Sequence, residues 1–481
     1  MDALAAGGQP LPLAVRERAD GQVVAKVFTE GMSGLLFGGF SGEVWIEPGK
    51  KATQGKLYRD KASGKSGSGG VALVLGAGNQ VGVVILDVLH KLIVDDEVVL
   101  LKLNSVADYC APHLLELFQP LIDRGFLSLA HGGASVGSYL TSHAGVDSVH
   151  LTGSEATYNS VVWGSPTAER TGPPKCTKPV TAELGCVTPV IIVPPPKGTL
   201  WSKAELEYQA TQVASQKLQN NGHNCVAAEV LVTSAGWPQR GEFLAALRAK
   251  LSRLPQRTGW YPGSDKRREA FRAAYPDATD AGAGVLLADG LSPEQALLRE
   301  ETWGLCLKEV PLPAAPDSGV ASFLDAAADF ANERCWGSLS CTVLCHPASR
   351  SAVGDDAWDG FLAKLRYGAI GVNVPSMIAF VVAGLPWGAF PGGTPQDIGS
   401  GVGFVHNTFL FDSPQKGVLT APWIVHPRPM WWPDFTNAAE LAAAVISLIA
   451  IGGTSQRSAG FAGSLQCLGA VPACALAALR G

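Results

Sequence analysis

The sequence has no excess of basic residues. Its 37 lysines and arginines are outnumbered by 42 aspartates and glutamates, which gives a formal net charge of −5. A nucleic-acid-binding protein needs a basic surface to meet the phosphate backbone. The composition therefore argues against nucleic acid as a partner.

Long apolar runs are also missing. The longest one near the C-terminus, residues 441–453, is shorter than the roughly 20 residues that a membrane-spanning helix needs. Residues 1–22 lack the pattern of a signal or transit peptide, because Arg16 and Arg18 are accompanied by Glu17 and Asp20. We therefore expect no membrane span and a cytoplasmic location.

Paired metal-binding cysteines are absent from the sequence. The ten cysteines are scattered, and the pair Cys341 and Cys345 has no second pair at ligand spacing. We expect no metal site, and we interpret the cysteines as mostly reduced thiols of an intracellular protein.

An alternation of strands and helices dominates the central part of the chain. Apolar strands are predicted at 71–75, 98–102, 126–130 and 147–151, with helices at 81–93, 106–122 and 135–142 between them. This order is typical of a parallel sheet covered by helices on both faces, whose ligands collect at the carboxyl ends of the strands. The pattern predicts a nucleotide-binding domain, and a second alternating unit follows at 200–375. With 481 residues, two or three domains are expected.

Cys225 lies between a predicted helix, 204–218, and a predicted strand, 226–232. Asn220, Asn221 and Gly222 end the helix, as residues that tolerate left-handed conformations do. A thiol at such a junction is held by two elements and can face a cleft between them. The alternative is a buried structural cysteine, which is the commoner fate of this residue type.

Two further segments carry candidate chemistry. Glu183 lies between two predicted strands within 180–194, and a glutamate that points into a cleft has a raised pKa and can act as a general base. Gly76, Gly78 and Gly82 follow a strand and open a helix. They resemble a dinucleotide fingerprint with one extra residue, but a lone glycine pattern is a weak signal, and a plain turn remains the alternative. The segment 430–433, Met-Trp-Trp-Pro, is interpreted as a docking surface.

Several segments in the same order resemble motifs of the aldehyde dehydrogenase superfamily, from about residue 71 to about residue 404. No single motif carries the likeness; one of them is Asn220-x-Gly222-x-x-Cys225, which resembles the nucleophile loop of that family. The others are Leu151-Thr-Gly153-Ser154, Glu183-Leu-Gly185 with Pro189, Glu300-Glu301-Thr-Trp303-Gly304, and Gly368 with Asn373.

The resemblance implies an α/β fold with a Rossmann-type cofactor domain and a second αβ catalytic domain. We expect an N-terminal segment and cofactor-binding domain at 1–199, a catalytic thiol domain at 200–404 and a C-terminal arm of unknown function at 405–481. Relative to the family, we expect a shortened N-terminal region and an insertion at 163–178. Cys186 and Trp303 also replace a glycine and a phenylalanine of the family motifs.

The same resemblance implies oxidation of an aldehyde to a carboxylic acid with NAD+ or NADP+. Cys225 would be the nucleophile and Glu183 the general base, while Asn79 falls on the asparagine that stabilises the oxyanion. This alignment makes the glycines around Asn79 a turn. The expected cofactor-binding residues are Lys102, Ser105, Gly153, Ser154, Glu301 and Trp303.

The resemblance also implies a homo-oligomer, either a dimer or a tetramer. Two alternative functions remain open. A CoA-acylating aldehyde dehydrogenase or acyl-CoA reductase would resolve the acyl-enzyme with a thiol, although such relatives generally lack a base at the position of Glu183. A non-catalytic protein could also retain the fold, but the joint presence of Cys225, Asn79, Glu183 and Glu301 argues against it.

Cofactor choice gives a first testable prediction. Ser105 stands where an acidic residue of the family would bind the adenosine ribose and repel a 2′-phosphate, and Lys102 lies nearby to attract one. We therefore expect NADP+ to be used at least as well as NAD+, measured as kcat/KM for each cofactor at a saturating aldehyde. A strong preference for NAD+ would show that another residue excludes the 2′-phosphate.

Overall fold

The computed structural model describes residues 2–29, 34, 37–65, 69–313 and 319–444. Within these residues the strands β1 to β17 are, in chain order, Ala14–Glu17, Val23–Phe28, Ser41–Ile46, Gly70–Leu75, Glu97–Lys102, Leu127–Ala130, Ser148–Thr152, Val180–Glu183, Pro189–Val193, Val230–Ser234, Thr279–Asp280, Leu286–Ala288, Cys306–Leu312, Ser340–Cys345, Ala369–Val372, Gly401–Val402 and Pro414–Thr420.

The helices of the described residues, α1 to α13, are Asp2–Ala5, Lys56–Ala62, Val81–Ile93, Ala111–Ile122, Ala134–Ser142, Glu155–Val162, Lys203–Leu218, Arg240–Ser252, Ser264–Ala274, Val320–Arg334, Pro347–Val353, Asp355–Lys364 and Met377–Val381. Short 3-10 helices cover Ser105–Cys110 and Gln219–Gly222.

The smaller of two sheets has the strand order β16-β8-β7-β4-β5-β6. All of its neighbouring strands are parallel except β16, which runs antiparallel to β8. Helices α3, α4, α5 and α6 connect β4 through β8 in turn. This is the predicted α/β unit, and the carboxyl ends of its parallel strands meet at one edge, where a ligand site is expected.

The larger sheet has the order β1-β2-β3-β17-β15-β14-β9-β10-β13-β12-β11. Its centre, from β17 to β12, is parallel, and antiparallel strands complete both edges. Strand β8 of the small sheet is followed within a few residues by β9 of the large one, so the chain crosses between the sheets at residues 184–188. Glu183, the last residue of β8, therefore lies where the two sheets meet.

Most predicted elements of the central region agree with the structure within a few residues, but the strand after Cys225 is an exception. It was predicted at 226–232 and begins only at Val230. The reason is a turn that follows Asn224: the Asn224 side chain accepts a hydrogen bond from Val226 N at 3.2 Å, and its carbonyl accepts one from Ala227 N at 3.0 Å. Cys225 is thus held in a loop and not at the start of a strand.

Several elements had no counterpart in the sequence prediction, among them helix α9 and strand β17. Helix α9 buries only Phe271, so its sequence lacks the apolar stripe that identifies a packed helix. Strand β17 contains the charged Lys416, whose ammonium is buried and donates to the Leu362 and Leu365 carbonyls. A lysine in a buried strand is contrary to the usual apolar pattern.

The predicted division at residues 199 and 404 remains a prediction. Strands β1 to β3 and β9, which fall in its first part, are hydrogen-bonded into the large sheet. No helix in the described residues is both long and apolar enough to cross a membrane. Residues 445–481 lie outside the described part, and so does most of the apolar run at 441–453.

Candidate active site

The loop that carries Cys225 is shaped by a reversal of the chain after α7. Asn220, Asn221 and Gly222 have φ angles of 50°, 53° and 75°, which places all three in the left-handed region. A side chain at Gly222 would collide with the carbonyl of Gly304. Position 222 therefore requires glycine for two reasons, the left-handed backbone conformation and the close approach of the segment that contains Gly304.

The thiol of Cys225 meets the carboxylate of Glu183 across the junction of the two sheets. Cys225 Sγ lies 3.2 Å from Glu183 Oε1 and donates to it, and the Trp387 indole N–H lies 3.3 Å from the same oxygen. The other oxygen, Glu183 Oε2, is buried and has no hydrogen-bond partner among the described residues. One oxygen of the carboxylate is thus held in place, and the other is available for a further donor.

Burial sets the protonation behaviour of this pair. It raises the pKa of Glu183 to about 7, with a smaller contribution from the charge of Asp87. The pKa of Cys225 lies well above its usual value, first because of burial and then because of the Glu183 charge. The resting thiol is therefore protonated, and the group best placed to accept its proton is the carboxylate beside it.

Asn79 lies next to the same loop. Its side-chain amide donates to the His223 carbonyl at 3.2 Å, and Asn220 donates to the Asn79 carbonyl at 3.0 Å. An amide nitrogen has two protons, so one of them remains for another acceptor. A Cβ at Gly78 would lie 2.7 Å from atoms of Asn104 and Tyr261, so side chains already fill the space over this glycine. This packing favours a plain turn over a phosphate-binding fingerprint.

Lys102, Gly153 and Ser154 lie at the carboxyl ends of β5 and β7, the strands on either side of β4 in the small sheet. The Lys102 ammonium has no hydrogen-bond partner in the described part of the chain, and burial lowers its pKa, against the opposing effect of Asp108. Ser154 caps α6 by accepting from Thr157 N at 3.2 Å. The arrangement combines a free cation with a helix N-terminus, and both favour an anionic ligand.

Glu301 and Trp303 belong to one short segment that faces the same space. Glu301 accepts a hydrogen bond from Cys186 N at 3.1 Å, and burial raises its pKa to about 8, with the charge of Glu229 as the next cause. Trp303 has a left-handed φ of 46°, and its ring packs edge-on to Tyr261 with 5.7 Å between centroids.

A single cleft of about 1290 Å³ brings most of the predicted site residues together. Those that line it are Asn79, Lys102, Gly153, Ser154, Glu183, Cys225, Glu301 and Trp303. Ser105 is the exception: it is exposed at the start of a 3-10 helix, and the neighbouring Asn104 lines the cleft in its place. The described residues contain no group of three or more His, Cys, Asp or Glu side chains that could hold a metal ion.

Among the lining residues that the sequence prediction missed are several aromatic ones. Tyr261, Phe380, Trp387 and Trp431 all face the cleft. The docking-surface interpretation of 430–433 is wrong for Trp431, which lines the cleft and donates to Gln212 at 2.9 Å. Nothing in the local sequence separates these rings from core aromatics. Residues of the predicted insertion at 163–178 also line the cleft.

Comparison with known proteins identifies the fold. The model of the aldehyde dehydrogenase family matches residues 69–295, whereas no curated protein sequence matches the chain. The NAD-dependent aldehyde dehydrogenase of Sinorhizobium meliloti superposes with a TM-score of 0.52 at 17% identity, covering 89% of this chain and 73% of its own. The Mycobacterium tuberculosis aldehyde dehydrogenase complexed with NAD+ superposes with a TM-score of 0.51 at 18% identity, and the match covers 86% of this chain and 74% of that one.

An NADP-dependent enzyme of E. coli is similar to the same extent. Its TM-score is 0.52 at 16% identity, and the match covers 82% of this chain and 73% of that one. The predicted fold class is confirmed by these structures.

Substitution of Asn79 tests the two interpretations of the glycine stretch. If its amide stabilises an oxyanion, Asn79→Ala should lower kcat by about a hundredfold, the loss typical of one such donor, with little change in the Kd of NAD(P)+. Asn79→Asp should be at least as damaging, because a carboxylate repels negative charge. A weakened cofactor Kd with normal kcat at saturating cofactor would instead favour the fingerprint.

Proposed function

Because residues 69–295 belong to the aldehyde dehydrogenase family and the fold is shared with its members, we propose that this protein oxidises an aldehyde to a carboxylic acid with NAD+ or NADP+. The observation that carries the proposal is the 3.2 Å contact between Cys225 Sγ and the buried Glu183 carboxylate, inside a cleft that also holds the Asn79 amide.

The chain's own residues supply the acid–base and nucleophilic chemistry. Glu183 takes the proton of the Cys225 thiol, and the sulfur attacks the carbonyl carbon of the aldehyde to form a thiohemiacetal. The free proton of the Asn79 amide and the backbone N–H of Cys225 stabilise the negative charge on the former carbonyl oxygen. Once the hydride has left and Glu183 has released the thiol proton to solvent, Glu183 accepts a proton from water, whose oxygen attacks the acyl carbon of the thioester. The C–S bond then breaks, the acid is released, and the proton on Glu183 returns to the sulfur.

The cleft also fits a dinucleotide cofactor, which when bound would accept the hydride of the thiohemiacetal. Its volume exceeds the roughly 300–1,000 Å³ of ordinary small-molecule sites, and the unpaired Lys102 ammonium lies in its wall. Lys102 and Glu301 would hold the two riboses, Gly153 and Ser154 the pyrophosphate, and Trp303 the nicotinamide. Ser105 replaces the acidic residue that would hold the adenosine ribose, and it also lies outside the cleft. The adenosine ribose would therefore lack an acidic partner at this position.

The wall beside the thiol suggests an uncharged aldehyde. Trp387 contacts Glu183, and its ring packs edge-on to Phe380 with 5.2 Å between centroids. Met377 and Trp431 add further apolar surface to the lining of the cleft. Apart from Glu183, the charged residues of the cleft lining lie on other segments, namely Lys102, Glu155, Lys175, Lys178, Arg267, Arg299, Glu300 and Glu301. An apolar body would therefore pack well there, whereas an anionic one would lose hydration without gaining a partner.

An aldehyde panel tests the function and the substrate class together. We expect NAD(P)H formation from hexanal and benzaldehyde, with kcat/KM higher by about tenfold or more than for the anionic succinic semialdehyde, since an unpaired charge is costly to bury. Cys225→Ala should abolish oxidation, whereas Cys176→Ala, which removes another thiol of the same cleft, should not. Oxidation that survives Cys225→Ala would contradict the proposed nucleophile.

The pH dependence tests the base. Glu183 must be ionised to accept a proton, so kcat/KM should rise with pH around its pKa of about 7. In Glu183→Gln this limb should disappear, and NAD(P)H formation should be slow from the first turnover, because the thiol and the attacking water both lose the base that accepts their proton. If CoA accelerates the wild type and the glutamine variant behaves normally, the CoA-acylating alternative replaces hydrolysis.

Homo-oligomeric assembly and a cytoplasmic location remain predictions.

A further inference from the structure

A buried carboxylate links the nucleophile loop to the Glu301 segment. Glu229 lies shortly after Cys225 and immediately before β10. Its Oε1 lies 3.4 Å from the Lys217 ammonium, in the last turn of α7, and its Oε2 accepts from Thr302 N at 3.0 Å and from the Thr302 hydroxyl. The side chains of Lys217 and Glu229 are only 1% and 3% exposed. One carboxylate thus joins the elements on both sides of Cys225 to a third segment.

That third segment carries groups that the proposed function uses. Thr302 lies between Glu301 and Trp303, both of which line the cleft. The following Gly304 carbonyl packs directly on Gly222 of the nucleophile loop. Trp303 has a left-handed backbone, a conformation that costs energy in a residue other than glycine and persists only when its surroundings hold it in place. The Glu229 hydrogen bonds to the adjacent Thr302 are a suitable restraint.

The charge of Glu229 also acts on the cleft. A buried carboxylate is tolerated only when donors satisfy it, and the donors here are one ammonium, one amide and one hydroxyl. After burial itself, Glu229 is the largest cause of the raised pKa of Glu301. Glu229 does not line the cleft, so any effect on a ligand must pass through the segment that it holds.

We propose that Glu229 is a positioning residue: through Thr302 it fixes Glu301 and Trp303 relative to the Cys225 loop. The nucleophile and the cofactor-contacting segment are thereby held in one register, although they are far apart in the sequence. This inference rests on the proposed function, in which Glu301 and Trp303 contact NAD(P)+. A buried ion pair that only stabilises the fold is the competing explanation.

Thr302 offers a conservative test. Thr302→Val keeps the shape of the side chain but removes the hydroxyl that donates to Glu229. We expect the Kd of NAD(P)+, measured by fluorescence, to weaken by about tenfold, the effect of one hydrogen bond to a charged group. Hydrolysis of p-nitrophenyl acetate in the absence of cofactor, which reports on Cys225, should be unchanged. Thr302→Ser restores the hydroxyl and should restore the Kd.

Thr233 provides a matched control. Its hydroxyl donates to Glu309, another buried carboxylate, which is paired with Arg240 through a 2.8 Å contact. None of these residues lines the cleft. Thr233→Val therefore removes the same kind of hydrogen bond at a distance from the cofactor. It should lower Tm without changing the Kd of NAD(P)+ or the ester hydrolysis.

Different results would contradict the positioning role of Glu229 and the proposed function. If Thr302→Val lowers Tm as Thr233→Val does but leaves the cofactor Kd unchanged, Glu229 is only structural and the inference is wrong. Failure of Thr302→Ser to restore the Kd would overturn it as well. If the wild type binds neither NAD+ nor NADP+, the proposed function itself is wrong, and the positioning role falls with it.

Discussion

The contact between the Cys225 thiol and the Glu183 carboxylate depends on the meeting of the two sheets. Glu183 ends a strand of the small sheet, whereas Cys225 precedes a strand of the large one. Their 3.2 Å separation exists because the chain crosses between the sheets just after Glu183 and places β9 beside β10. Any change in the packing of the sheets would alter this distance directly. The chemistry of the cleft is therefore a property of the interface between two layers.

Burial gives the same place its unusual electrostatics. The pKa values of Cys225, Glu183 and Glu301 are all raised chiefly by burial. Such groups destabilise a fold unless partners are supplied, and here the donors are few: the Cys225 thiol and Trp387 for Glu183, and a backbone N–H for Glu301. Sites where ionisable groups are kept partly unsatisfied are typical of catalysis.

Two groups of residues with different chemistry line the cleft, one of them favouring negative charge and the other aromatic. Lys102 and the N-terminus of α6 lie at the strand ends of the small sheet, where an anionic cofactor would be favoured. Phe380, Trp387 and Trp431 lie on segments that follow the large sheet's central strands in the sequence. The Cys225 thiol lines the same cleft as both groups of residues.

Local sequence determined much of the framework. Apolar periodicity predicted α7 and the alternating strands and helices of the small sheet, because these patterns depend on residues a few positions apart. Motif order likewise predicted that Cys225, Glu183, Asn79 and Glu301 belong together, and the structure places all four in one cleft.

What only the tertiary structure decided depends on contacts between residues distant in the chain. Trp387 reaches Glu183 across 204 positions, and the turn after Asn224 delays β10 although the sequence there looks like a strand. Ser105 was expected in the cleft, but a 3-10 helix begins at that residue and leaves it exposed. Sequence periodicity specifies which face of an element is buried, whereas the partner that it meets is fixed only when the sheets pack together.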